Sequence, residues 1–179
     1  MQQTFMVYVE DKPGVLNRVA SLFRRRSFNI ESLTVGHTET PGVSRMTVVM
    51  DTDDMTARRV EANLYKLVNV LRVENIAHKR SVIRDLVLLK VRATFETRPQ
   101  IFQIVEVFQG RVVDVTGETV IIEVTGTEEK IDSAIEVLNP YGIIEMVRTG
   151  MVAMGCGDDT PSVNPEFVHA SAVAPGPVQ

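Results

Sequence analysis

Tryptophan is missing from the 179 residues, and aromatic residues make up only 6%. A surface that stacks nucleobases needs aromatic faces, so this scarcity argues against a nucleic-acid partner. Cysteine occurs once, at Cys156, which excludes an internal disulfide and agrees with a reducing cytosol. The three histidines, His37, His78 and His169, are scattered, and none stands at metal-ligand spacing from the cysteine. No apolar run approaches the roughly 20 residues that span a bilayer. The opening MQQTFMVYVEDKPG has neither the basic start nor the apolar stretch of a secretory signal. No acidic or basic block is long enough to suggest nucleic acid or anionic lipid as the main partner of a chain of net charge −4. The expectation is a cytoplasmic protein with no membrane and no nucleic acid among its partners.

What is present is a balanced globular composition, 44% hydrophobic and 23% charged, enough for one ordinary domain or two small ones. Thr4 to Val9 reads as a strand. Val15, Leu16, Val19, Ala20, Leu22 and Phe23 then follow helical spacing, with Pro13 suited to the helix start and Arg24, Arg25 and Arg26 to its end. Asn29 to Val35 returns as a strand, with a change of apolar phase that predicts a bend near Glu31 and Ser32. Val43 to Met50 is the next strand. Asp53 or Asp54 caps a second helix with the stripe Val60, Leu64, Leu67 and Val68, and Val70 to Ile76 closes the unit.

The element order then repeats without repeating letters. Asp85 to Thr94 is a strand, and Ile101, Ile104, Val105 and Phe108 mark a helix that Gly110 is placed to end. A hairpin runs through Arg111 to Val115 and Thr119 to Val124. Thr127 caps a helix with the stripe Ile131, Ala134, Ile135 and Leu138, and Ile143 to Arg148 is the last strand. The fold class is therefore α+β: two ferredoxin-like βαββαβ units, residues 1–78 and 85–154, joined at 79–84. Residues 155–179, rich in Gly, Pro, Ala and Ser, read as a flexible tail. Each four-stranded sheet can cover one face with its own helices, so its other face and its edges call for association, most simply a two-fold dimer.

The segment EDKPGVLNRVASLFRRRSFNIESLTVG carries the most chemistry. It lays a helix N-terminus bare at the end of a strand, where N–H groups of Gly14, Val15 and Leu16 suit a carboxylate. Asn29, at the head of the next strand, offers both a donor and an acceptor to an amino acid. On the residues alone, Pro13-Gly14 reads as well as a plain tight turn and Asn29 as a loop cap. No base, nucleophile or metal cluster sits beside them, which points to a sensor and away from a catalyst.

EDKPGVLNRVASLF, SFNIESLTVG, SRMTVVM and YKLVNVLRV closely resemble the regulatory, or small, subunit of acetohydroxyacid synthase, also called acetolactate synthase. The resemblance is most specific over 4–78. It continues more loosely through LVLLKVRA, FQGRVVDVTGE, VTGTEEKID and VRTGMVAM to about residue 154. It implies that the first unit is an ACT domain, the family's amino-acid-binding module, and that the chain forms a homodimer through these domains. Valine would lie between two copies, with Asp11, Gly14, Val15 and Leu16 of one facing Asn29 and Ile30 of the other. The resemblance further implies a regulatory subunit for branched-chain amino-acid biosynthesis, which activates a catalytic subunit and confers feedback inhibition by valine. Thiamine diphosphate, magnesium and FAD would belong to that partner, leaving this chain with no cofactor and no catalytic residue. Two positions depart from the pattern: Asp11 stands where relatives often carry Asn, and Ser27 where they often carry Gly. An ACT sensor serving another enzyme is the alternative reading.

Overall fold

The computed structural model describes residues 1–157. The described residues divide into two compact units, Met1–Val82 together with 153–157, and Ile83–Val152. The tail expected from the sequence lies, from residue 158 on, outside the described residues.

The first unit runs β1 (Gln2–Glu10), α1 (Val15–Arg25), β2 (Ser32–His37), β3 (Val43–Asp51), α2 (Asp54–Leu64) and β4 (Val70–Asn75). Its sheet is antiparallel in the order β2-β3-β1-β4. Val7 lies across from Met46 on one side and Val73 on the other, so β1 is the central strand. Alternation along it sends Phe5, Val7 and Val9 into one core with Val15, Val19 and Phe23 of α1 and Val60 and Leu64 of α2. Asp53 caps α2, its carboxylate accepting from the Thr56 amide at 2.7 Å. That bond comes first among the causes holding the Asp53 pKa below the usual carboxylate value.

The exit from α1 is set by Ser27, which takes the left-handed φ of +55° that favours glycine. The Ser27 amide donates to the Arg24 carbonyl and the Phe28 amide to the Phe23 carbonyl, a Schellman closure. Phe28 then stacks edge-on against Phe23, with ring centroids 6.1 Å apart. Because Phe28 is tied back to the helix, the chain reaches the sheet late. β2 starts at Ser32, and Asn29 and Ile30 belong to the loop before it, a correction to the strand start expected at Asn29. The bend falls at Glu31, whose amide already donates to the Val49 carbonyl.

The second unit runs β5 (Ser81–Arg92), α3 (Arg98–Val107), β6 (Arg111–Val115), β7 (Thr119–Gly126), α4 (Glu128–Leu138), a 3₁₀ turn (Asn139–Tyr141) and β8 (Ile143–Arg148). Its order is β6-β7-β5-β8, and a short β9 (Val152–Gly155) also pairs with β5. Val87, Leu89 and Val91 face Ile101, Ile122 and Ile131 in the core. Thr127 caps α4 by accepting from the Lys130 amide. Asp85, only 2% exposed, accepts from Arg148 and Thr149, while Arg148 also donates to Asp132 at 2.9 Å, so one guanidinium ties β8 to β5 and α4.

Four further expectations need correction. β5 begins at Ser81, so four of the six residues of the expected 79–84 joint are strand. Gly155 ends β9 and the Cys156 amide donates to the Arg80 carbonyl, so the chain is still ordered past the expected tail start at 155. Val68 is 92% exposed, because α2 ends at Leu64 and the helical stripe ends with it. Gln109, with φ of +50°, takes the left-handed position that ends α3. Gly110 serves a different need: a Cβ there would meet the Glu123 carbonyl oxygen at 2.9 Å.

Candidate effector site

The site begins where β1 stops. The Asp11 amide donates to the Gly42 carbonyl at 2.8 Å, fixing the chain against the β2–β3 turn, and Val15 closes a tight turn by donating to Lys12. Gly14 stands at the N-cap of α1 with φ of +82°, a conformation only glycine adopts without strain. A Cβ built on it would meet no atom within 4 Å, so the space before it is open. Among the described residues, nothing accepts from the amides of Gly14, Leu16 or Asn17. The Val15 amide, expected to point outward, is already satisfied by the turn, and its side chain is core. Asn17 takes its place in the set of open donors, since the carbonyl four residues back, on Pro13, lies outside the helix and does not accept from it.

A polar brace that the sequence did not reveal holds this turn. Glu10, 8% exposed, accepts from Lys12 Nζ at 3.1 Å and from Asn69 Nδ2 at 2.5 Å. Asn69 returns a carbonyl to the Glu10 amide at 2.9 Å and accepts from Arg18 through its own Oδ1. Three pieces of chain, the end of β1, the first turns of α1 and the approach to β4, are thereby fastened at one point. A polar Asn69 inside the apolar run KLVNVLRV was the available signal.

Asp11 turns its carboxylate to His37 Nδ1, 3.2 Å away and largely in solvent. The mouth thus combines carboxylates at Glu10 and Asp11 with cations at Lys12 and Arg18. Leu16, 44% exposed, adds an apolar wall beside the open amides.

Asn29 and Ile30 are not part of this cluster within one chain. They follow the far end of α1, and 11 residues at 1.5 Å each separate the two ends by about 16 Å. The Asn29 side chain is exposed and has no hydrogen-bond partner among the described residues, while Ile30 packs partly against the core. Within one copy the two sets of residues therefore lie at opposite ends of one helix.

The strand order, the paired helices and the open start of α1 define a ferredoxin-like unit of the ACT type, duplicated in plan by the second unit. Residues 5–72 match the family model for the AHAS small subunit-like ACT domain, and residues 84–157 match the model for the small subunit of acetolactate synthase. The acetolactate synthase small subunit of Mycolicibacterium smegmatis is 48% identical over 154 residues, covering 86% of this chain and 91% of that one. A probable acetolactate synthase small subunit of Archaeoglobus fulgidus is 49% identical over 158 residues, covering 88% and 99%. The crystal structure of the small subunit from Thermotoga maritima superposes with a TM-score of 0.83 at 41% identity, covering 88% of this chain and 99% of that one. The chain belongs to the acetolactate synthase small-subunit family. No helix of the described residues is long and apolar enough to cross a membrane.

Proposed function

We propose that this chain is a regulatory subunit that binds the acetolactate synthase catalytic subunit in the cytoplasm, raises its activity and makes it sensitive to valine. The observation that carries the valine reading is the left-handed Gly14 with its open space and its unsatisfied neighbouring amides. Those amides and the helix dipole stabilise a carboxylate. Leu16 offers an apolar contact to a branched side chain. Asn29, free of other bonds among the described residues, serves the polar end of the ligand from a second copy, because α1 is too long for one copy to supply both halves. Asp11 faces the ligand ammonium and is held off the carboxylate by His37.

In this reading the catalytic chemistry, with thiamine diphosphate, magnesium and FAD, stays with the partner, and this chain contributes no reacting group. Valine bridges two copies and so favours one arrangement of the dimer over another, with a coupling of about 1–3 kcal/mol. The test mixes the purified chain with the acetolactate synthase catalytic subunit and measures acetolactate formation with and without valine. A rise in activity on mixing and its loss with valine are expected. An unchanged rate on mixing, or a raised rate indifferent to valine, contradicts the proposal.

A further inference from the structure

The helix that presents Gly14 at one end carries a second feature at the other. The last turns of α1 and the chain leaving α2 enclose a groove of about 440 Å³, lined by Leu22, Arg25, Arg26, Asn63, Lys66 and Leu67. Three of the six lining residues are cations and none is an acid. Arg25 donates to the Ser21 carbonyl and Lys66 to Asn63 Oδ1, and among the described residues neither they nor Arg26 meets a carboxylate. Elsewhere among the described residues Lys12, Arg72, Lys79, Arg111 and Arg148 sit on acidic side chains, while others such as Arg24 and Arg59 do not.

The dipole of α1 accounts for a cation in its last turn. It does not account for Lys66, which arrives from beyond the end of another helix. Nor does it account for the apolar floor that Leu22 and Leu67 give the groove. Like charges gathered around an apolar slot, in a chain of net charge −4, lack their complement within the unit.

We infer that this groove docks an acidic segment of the catalytic subunit, carboxylates on the cationic rim and an aliphatic side chain on the Leu22–Leu67 floor. The inference rests on the regulatory reading above, which requires a protein partner but does not say where it binds. It also gives that reading a path. α1 is one 11-residue helix, so a shift imposed by an effector at Gly14 moves the Arg25–Arg26 end with it.

The experiment uses the full chain and the purified catalytic subunit. Binding is measured by calorimetry at about 0.05 M and about 0.5 M salt, since an interface of this kind is screened. The unaltered chain is expected to bind about tenfold or more weakly at high salt. Arg25→Gln, Arg26→Gln and Lys66→Gln together should weaken low-salt binding by a similar factor and flatten the salt dependence. Leu67→Ser should weaken binding at both salts. Far-UV circular dichroism and valine binding to the isolated variants, both unchanged, show that the fold and the Gly14 mouth survive. If the unaltered chain binds and the triple-Gln variant binds equally well, the groove is not the docking surface and the regulatory reading stands. If the triple variant keeps the catalytic subunit but loses an affinity for inorganic phosphate or ATP shown by the unaltered chain, the groove is a small-anion site and the inference is overturned. If the unaltered chain does not bind the catalytic subunit at all, both readings fall.

Discussion

Replacing Gly14 with Ala and with Asp separates the backbone role of this residue from its role as an anion receptor. At φ of +82° any side chain strains the backbone, at a cost of about 1–2 kcal/mol. For a unit of this size that lowers the melting temperature by about 4–8 °C per kcal/mol. Space adds nothing to the cost, because a Cβ there meets no atom within 4 Å. Both variants share that penalty, and the Asp variant carries no larger one, since a negative charge at a helix start favours the bare helix. The two differ toward the ligand. Two carboxylates about 4 Å apart repel by about 4 kcal/mol at an effective dielectric constant near 20. At an exposed mouth in physiological salt about half of this remains, near 2 kcal/mol, or about thirtyfold in affinity. Calorimetric titration of valine should therefore find Gly14→Ala within about threefold of the unaltered chain and Gly14→Asp weaker by about thirtyfold or more. Equal losses in the two variants would mean that only backbone geometry matters. Full affinity in the Asp variant would remove the carboxylate from the start of α1.

Three other expectations concern the scaffold. Arg148→Met leaves Asp85 buried without its charge partner and should cost about 3–5 kcal/mol, whereas Asp85→Ala should cost less because Arg148 keeps Asp132; urea unfolding followed by far-UV circular dichroism, apt for a chain without Trp, orders the two. Gln109→Gly relieves a left-handed residue and should raise the melting temperature slightly, while Gly110→Ala drives a methyl toward the Glu123 carbonyl and should lower stability by about 1–3 kcal/mol. Asp53, bonded by the Thr56 amide, and Asp54, bonded by His78 and Gln3, both have pKa values held below the ordinary carboxylate value of the unfolded chain. Their contribution is present above that value and fades as pH falls through the folded pKa, so Asp53→Asn/Asp54→Asn should flatten the drop in melting temperature between about pH 4.5 and about pH 2.5. An unchanged slope would place the acid sensitivity elsewhere.

The architecture was legible because period and punctuation agreed. The stripe Val15, Val19, Leu22 and Phe23 could bury only as a helix, and the capping residues Asp53 and Thr127 stand where the helices start. What escaped were features decided by contact between distant residues. Val68 fits the helical period of its neighbours, yet α2 stops at Leu64 and leaves it in solvent. Asn29 fits a strand start, yet the Schellman closure at Ser27 and the Phe23–Phe28 stack hold the chain back until Ser32. The rule that places glycine at a helix end pointed to Gly110, one residue beyond the left-handed Gln109; what Gly110 answers is close approach, chiefly of β7 through Glu123 and Val124 and also of Val105 on α3. At the candidate site, Gly14 and Leu16 were readable from the Pro-Gly signal. The brace of Glu10, Asn69 and Arg18 was not, since its members lie up to 59 residues apart and join only when β1 meets the approach to β4.

The central claim is that each valine site takes Gly14 from one copy and Asn29 from another. Co-expression of a Gly14→Asp chain with an Asn29→Leu chain, on different affinity tags, yields a mixed dimer that tests it directly. Each variant alone should bind valine poorly. In the mixed dimer the two lesions fall together in one site and leave the other intact, so calorimetry should recover about one tight valine per dimer. A mixed dimer as deficient as its parents would contradict the account, because it would place both residues in a site built within a single copy.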